Sequence, residues 1–309
     1  MIIRPMEPRD LDAVRRVMSL AFGTFLGAPD PERFFGDLDF AGTRLGAPNV
    51  AAFVADDDGR IVGSNFATRW GSVAFFGPLS VDPAYWEKKL GQQLMAPIMD
   101  TFAAWKPTHR MLYTFPHSPK HASLYYRYGF HPRFLTAIMS KRTTPEMSRG
   151  AGMLWSGIDP SSRPRVLGQL REIAEANYPG LDLSDEIAVV SDRGYGDIVM
   201  AGSAERPTGF AICHTGPNTE AGSGRCCVKF GATRPGDAAA FGQLLEATEG
   251  FAAERGLKAI VAGVNTGREE AYRMFLERKY RTDMQGLTMH APNAPSYSAP
   301  GHYVIDDWR

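Results

Sequence analysis

One pattern in this chain occurs twice, about half its length apart. The segments Phe102-Ala103-Ala104, the apolar run Met111 to Phe115, and Leu124-Tyr125-Tyr126-Arg127-Tyr128-Gly129-Phe130 are answered by Phe251-Ala252-Ala253, the run Ala259 to Val264, and Met274-Phe275-Leu276-Glu277-Arg278-Lys279-Tyr280. The copies lie 149 residues apart at the front and 150 at the back, so a helix–strand–helix unit recurs with one inserted residue. That spacing is a duplicated domain, because solenoid repeats recur every ~20–50 residues. A chain of 309 residues suits two domains of ~100–200 residues each, and each copy is long enough to bury a core.

The elements between the repeats set the class. Strand Ile2-Ile3 precedes a helix capped by Asp10 and running to Phe22, with Leu11, Val14, Val17 and Met18 on one face. A helix is expected over Pro31–Phe40, then strands Val50–Ala55 and Ile61–Arg69 joined by the hairpin turn Asp56-Asp57-Asp58-Gly59. Strand Val73–Val81, helix Trp86–Trp105, strand Met111–Phe115, helix Pro119–Tyr128 and strand Phe134–Ser140 complete the first copy. After an aperiodic linker over 143–152, the order recurs: helix Arg165–Ala176, strands near Ile198–Ala201, Gly209–His214 and Cys226–Ala232, helix Asp237–Arg255, strand Lys258–Val264, helix Arg268–Arg278 and strand Gly286–His290. The pattern is α/β (α+β): two tandem domains, 1–143 and 154–309, each a mixed central sheet flanked by helices. The aromatics of the tail from Ala291 predict that it docks on the body.

Lys+Arg and Asp+Glu balance at 34 each, which gives no general attraction to nucleic acid or to an acidic membrane. No apolar run reaches 18 residues, and Met1-Ile2-Ile3-Arg4-Pro5 lacks the long apolar region of a signal peptide. A cytoplasmic protein is expected. Cys213, Cys226 and Cys227 form a poor disulfide framework and read as buried thiols.

Two segments carry chemistry. The strand-to-helix junction Leu79-Ser80-Val81-Asp82-Pro83-Ala84-Tyr85-Trp86-Glu87-Lys88-Lys89-Leu90-Gly91-Gln92-Gln93 directs unpaired amides of a helix start at whatever lies before it, an arrangement that favours an anion such as a phosphate. In Leu124–Phe130, Tyr125 and Tyr128 share a helix face and Gly129 can supply a left-handed cap.

With these two segments in this order, the chain resembles the GNAT superfamily of N-acetyltransferases, closely over about the first 140 residues and loosely beyond, and the duplication resembles its tandem members. The resemblance implies that acetyl-CoA, the acyl donor, lies between two splayed central strands. Leu79, Ser80 and Val81 would pair with its pantetheine arm. The family's pyrophosphate loop, Gln/Arg-x-x-Gly-x-Gly/Ala, falls on Trp86, Glu87, Lys88, Lys89, Leu90 and Gly91. Only Gly91 matches strictly, and the resemblance leaves the amides of Leu90, Gly91, Gln92 and Gln93 and the charges of Lys88 and Lys89 to hold the phosphates. Tyr125 matches the family's general acid on the departing thiolate, and Ser118 stands where an asparagine is common.

The acceptor amine needs a base, since at a pKa of about 10.4 only about one part in two thousand is neutral at pH 7. His117 and the acidic group Glu32, Asp37 and Asp39 are the candidates. The i, i+4 pair His117 and His121 lacks a third ligand, so no metal is expected. In the second copy Pro235 removes an amide and Phe275 replaces Tyr125, which reads as a degenerate domain that completes the substrate cleft or holds a homodimer. The expected activity is acetyl transfer to a primary amine of a small molecule or peptide. A non-catalytic acyl-CoA sensor and a scaffold that binds no CoA are the alternatives.

Overall fold

The computed structural model describes residues 1–150, 152–306 and 308. The first half contains β1 (Ile2–Pro5), α1 (Leu11–Phe25), α2 (Phe40–Arg44), β2 (Val50–Asp57), β3 (Arg60–Trp70), β4 (Val73–Phe76), β5 (Ser80–Val81), α3 (Leu90–Trp105), β6 (His109–Thr114), α4 (Pro119–Tyr126) and β7 (His131–Arg142). The second half contains β8 (Met153–Leu154), α5 (Arg163–Asn177), α6 (Ser184–Arg193), β9 (Gly196–Gly202), β10 (Pro207–Gly216), β11 (Gly222–Thr233), α7 (Ala238–Glu254), β12 (Ala259–Asn265), α8 (Glu269–Glu277), β13 (Arg281–Ala291) and β14 (Val304–Asp306). The β2–β3 turn has positive φ at both Asp58 (51°) and Gly59 (88°), the geometry that matches the right-handed twist of a hairpin.

The halves do not form two sheets. Among the described residues the strands join in one mixed sheet of order β1-β2-β3-β4-β6-β13-β7-β12-β11-β10-β9-β8. The last strands of the two halves have changed places: β13 pairs with β6 over Leu287↔Thr114 to Ala291↔Arg110, and β7 pairs with β12 over Ala259↔Arg142 to Asn265↔Thr136. The boundaries 1–143 and 154–309 therefore mark the repeat in sequence and not separable sheets.

Helices cover both faces. In the first half α1 and α2 pack on Phe66, while α3 and α4 pack on the face of Ala67, as the alternation of a strand requires. In the second half α5 and α6 share one face and α7 and α8 the other. The α5–α6 core also takes in Trp70, Val73, Phe75 and Met111 of the first half, so the halves share a hydrophobic cluster.

Two expectations are corrected and one helix was not foreseen. Pro31–Phe40 is a single 3₁₀ turn over Pro31–Arg33 followed by irregular chain, because Gly36 takes φ 58° and Leu38 bridges to Thr219. Helix α6 was not expected, although Asp185 and Glu186 in its first turn, Arg193 in its last and Gly194 at its cap mark it, and it buries Ile187, Val189 and Val190. The linker is a 3₁₀ segment, Pro145–Gly150, seated on α7 through Gly150, where an added Cβ would lie 2.6 Å from Glu246. In the tail Tyr297, Tyr303 and Trp308 are buried. Among the described residues no helix is long and apolar enough to cross a membrane.

Candidate active site

A cleft opens where two parallel strands part. β4 and β6 pair from Val73↔His109 to Phe75↔Met111. Beyond that point β4 ends, and the chain bends through Gly77–Leu79 into β5, which is held to β3 by Gly63↔Val81 and Ser64↔Ser80. β6 runs on to Thr114 beside β13. The space between them has a volume of about 920 Å³ and is lined by Leu79 and Val81, the start of α3, one face of α4 and the aromatic end of α1.

The start of α3 faces this cleft without a cap of its own. Lys89 occupies the N-cap position with φ 59° and makes no side-chain cap bond. It thus holds the left-handed conformation for which the motif uses glycine, at a cost of about 1–2 kcal/mol. The amides of Gln92 and Gln93 bond to the Lys89 carbonyl at 3.0 and 3.3 Å, whereas those of Leu90 and Gly91 have no backbone partner among the described residues. Among the described residues the amides left without a backbone acceptor are thus those of Leu90 and Gly91, whereas those of Gln92 and Gln93 are engaged. Gly91 sits between Leu79 and Leu124, where an added Cβ would meet each at 3.8–3.9 Å.

Around this start the side chains divide. Trp86, Lys89, Leu90, Gly91 and Gln92 line the cleft, and Lys88 and Gln93 do not. The Lys88 ammonium lies over the Tyr85 ring at 4.5 Å. The Trp86 indole donates to the Val81 carbonyl at 2.8 Å, and Glu87 pairs with Lys120. Ser80 points away, its hydroxyl bonded to that of Ser64 at 2.8 Å, so only its backbone could serve a ligand on β5.

Helix α4 presents polar side chains to the cleft. Ser118 caps it by accepting the His121 amide at 3.4 Å, and it lines the cleft with His121 and Tyr125. These last two are one helical turn apart on one face, with ring centroids 6.5 Å apart. Burial lowers the His121 pKa below its usual value, and the charges of Lys120 and His117 act in the same direction, so the ring is neutral at pH 7. Burial raises the Tyr125 phenol well above its usual range, partly offset by the Thr114 side chain, so the hydroxyl keeps its proton.

His117 does not line the cleft. It is exposed and stacks on Phe25 at 5.6 Å. The histidine in the cleft is His121, and its i, i+4 spacing from Tyr125 was the sequence signal for it. The acidic candidates are also elsewhere. Asp39 caps α2 through the Gly42 amide at 2.7 Å and pairs with Arg15. Asp37 accepts the Ser223 amide at 3.1 Å, and Glu32 borders a separate polar depression with Arg15, Arg16 and Arg33.

The second copy is closed twice. Where β11 parts from β12, the tail strand β14 fills the gap, pairing Phe230↔Asp306, Gly231↔Ile305 and Ala232↔Val304. The start of α7 is occupied by its own carboxylate, as Asp237 accepts the Ala240 amide at 2.9 Å. Phe275 is buried against Tyr280 at 4.7 Å. Past β14 the tail reaches back, and Trp308, together with Met284 of β13, lines the open cleft of the first half.

Comparison with known proteins agrees with this picture. The family model described as the acetyltransferase (GNAT) domain matches residues 48–132, which hold the parted strands and the starts of α3 and α4. A candidate acetyltransferase from Pyrococcus horikoshii superposes with a TM-score of 0.69 at 14% identity, covering 99% of this chain and 94% of that one. A GCN5-related N-acetyltransferase from Sphaerobacter thermophilus gives 0.57 at 15%, covering 94% of each. A glucosamine N-acetyltransferase region of a fungal multi-domain β-N-acetylglucosaminidase gives 0.61 at 13%, covering 94% of this chain and 38% of that one. At these identities the likeness is one of fold, and no curated protein matches the sequence. The open cleft thus lies inside the segment that matches the acetyltransferase (GNAT) domain, in a chain that shares the fold of these solved acetyltransferases.

Proposed function

We propose that the chain binds acetyl-CoA in the cleft between β4 and β6 and transfers the acetyl group directly to a primary amine. The reading is carried by one conjunction: an uncapped helix start and a histidine–tyrosine pair line the same cleft. The Leu90 and Gly91 amides, aided by the α3 dipole and by Lys89, would hold the pyrophosphate. His121 takes a proton from the amine nitrogen as the new C–N bond forms. Tyr125 gives its proton to the sulfur as the C–S bond breaks. All three cysteines are buried in the second half, which supports direct transfer over a thioester on the enzyme.

Binding is tested by heat. At a hundredfold excess over Kd, acetyl-CoA adds about 2.7 kcal/mol, which corresponds to a rise in Tm of roughly 5–11 °C for domains of this size. Gly91→Glu should abolish the rise, because it sets a carboxylate at the anion-binding amides. No shift at millimolar acetyl-CoA with the intact chain would refute the reading.

Chemistry is tested separately. Tyr125→Phe should lower kcat about 10²-fold with little change in acetyl-CoA affinity, as for a group acting in the transition state. The unprotonated His121 is the active form and its pKa is lowered. The rate should thus stay flat from pH 8 to the neutral range and fall only below about 6.5. Unchanged turnover in Tyr125→Phe would assign the proton to another donor, and binding without any turnover would leave a sensor.

A further inference from the structure

We infer that the acceptor is an amine carried on an aromatic or bulky apolar body with no carboxylate and no second cationic group. The inference rests on the proposed acetyl transfer and concerns the end of the cleft away from α3. Every residue that α1 and the segment up to α2 contribute to the lining is apolar, and five of them are Phe22, Phe25, Phe34, Phe35 and Phe40. Their rings form a continuous wall with Phe115: Phe25–Phe115 at 4.8 Å, Phe22–Phe115 at 6.0 Å, Phe22–Phe35 at 5.5 Å and Phe34–Phe35 at 5.0 Å. The wall ends at the reactive pair, since Phe25 lies 5.1 Å from His121.

Among the described residues, α1 and the segment up to α2 contribute no charged side chain to the lining. Glu87, Lys89, Lys120 and Arg127 belong to the α3 start and to α4. Among the described residues, an acceptor carboxylate lying against the aromatic wall would find no cation on α1 or the segment up to α2 to pair with, and a second ammonium would find no anion there. Either would forfeit its hydration uncompensated. A single ammonium fares differently, because aromatic faces attract a cation until it gives one proton to solvent and reacts as the neutral amine, whose remaining surplus proton His121 takes. The mouth points the same way. Phe34 and Leu26 remain 36% and 38% exposed there, an apolar rim that a matching ligand would cover. Trp308 and Met284 of the second half also line the cleft, so the second half contributes to its walls.

The test uses the full chain with acetyl-CoA and four amines: 2-phenylethylamine, phenylalanine, spermidine and glucosamine. Thiol release should favour 2-phenylethylamine over each of the others by at least about 10²-fold in kcat/KM. Phenylalanine differs from it only by the carboxylate and isolates that term. Phe25→Leu, and the more exposed Phe34→Ala, should raise KM for 2-phenylethylamine about tenfold while leaving that for acetyl-CoA unchanged. Calorimetry of 2-phenylethylamine on the CoA-loaded protein should show the same weakening without turnover.

Preference for spermidine or glucosamine, or parity with phenylalanine, would overturn the inference. So would tighter binding of octanoyl-CoA than of acetyl-CoA with loss of that gain in Phe25→Leu, which would assign the wall to an acyl chain. An acetyl-CoA thermal shift with neither binding nor acetylation of 2-phenylethylamine would overturn it and leave the donor site standing. Absence of the thermal shift removes the donor site and this inference together.

Discussion

Lys229→Met should cost the protein about 3–5 kcal/mol of stability, the usual penalty for removing one partner of a buried charge network. The Lys229 ammonium lies 2.9 Å from Glu186 and 3.0 Å from Glu220. Glu220 also accepts the Arg44 guanidinium at 3.1 Å, and Glu186 accepts the Trp70 indole at 3.1 Å. All five side chains are buried or nearly so, and the network joins α2 and β3 of the first half to α6 and β11 of the second. Burial opposes ionisation of both carboxylates, but Lys229, joined at Glu220 by Arg44, overcomes it and lowers both pKa values. Without Lys229, Glu186 keeps no ion-pair partner among the described residues. The damage should reach the cleft as well, because Arg44 also holds the Gly77 carbonyl at the bend where β4 leaves β6. Urea unfolding measures the loss. The double variant Lys229→Met, Glu186→Gln should recover part of it by removing the stranded charge, and a loss under about 1 kcal/mol in the single variant would show that water reaches the site.

The second large effect is acid lability beginning near pH 6.5. His109, His214 and His290 are buried, and burial, the main cause in each case, holds their pKa values down to about 4, 4 and 3. His109 and His290 also face each other at 3.0 Å, so a charge on one opposes a charge on the other. In the unfolded chain each titrates near 6.5. Above that pH both states are neutral and the stability is fully present. As pH falls below it, the unfolded chain takes up protons that the folded chain refuses, and stability drops until the folded pKa values are reached. Three such groups give a limiting slope of about 4 kcal/mol per pH unit, enough to exhaust an ordinary 5–15 kcal/mol within a few units. Unfolding free energies measured from pH 7.5 to 5 should show this slope develop, whereas a flat profile would mean that the histidines accept protons in the folded state. Glu186 and Glu220 add to the loss only at lower pH, since their depressed pKa values withdraw stability as pH falls through the carboxylate range.

What the sequence made legible was local. The helix from Leu90, the helix around Leu124–Tyr126 and the hairpin at Asp58-Gly59 follow from periodicity and turn chemistry within a few residues. The duplication was visible because both copies keep their apolar pattern. The exchange of β7 and β13 was not visible, because pairing such as Leu287↔Thr114 joins residues far apart in the chain, and period-two alternation names a strand without naming its neighbour. The closing of the second cleft by β14 escaped for the same reason. The cap at Asp237 was open to reading, since an Asp at the start of a helix is a common capping residue. His121 was also within reach. It lay one turn from Tyr125 in the sequence, and only the burial of that face distinguishes it from the exposed His117.

The exchange of strands also sets an order on biosynthesis. β6 waits with an open edge until β13, residues Arg281–Ala291, has left the ribosome. At ~5–20 residues per second, the first half therefore spends many seconds as a nascent chain that cannot finish its own sheet. An unpaired strand edge is a template for pairing with another chain. Translation pausing, or termination before β13, should leave this protein more dependent on chaperones than a tandem protein whose first domain closes as soon as it is made.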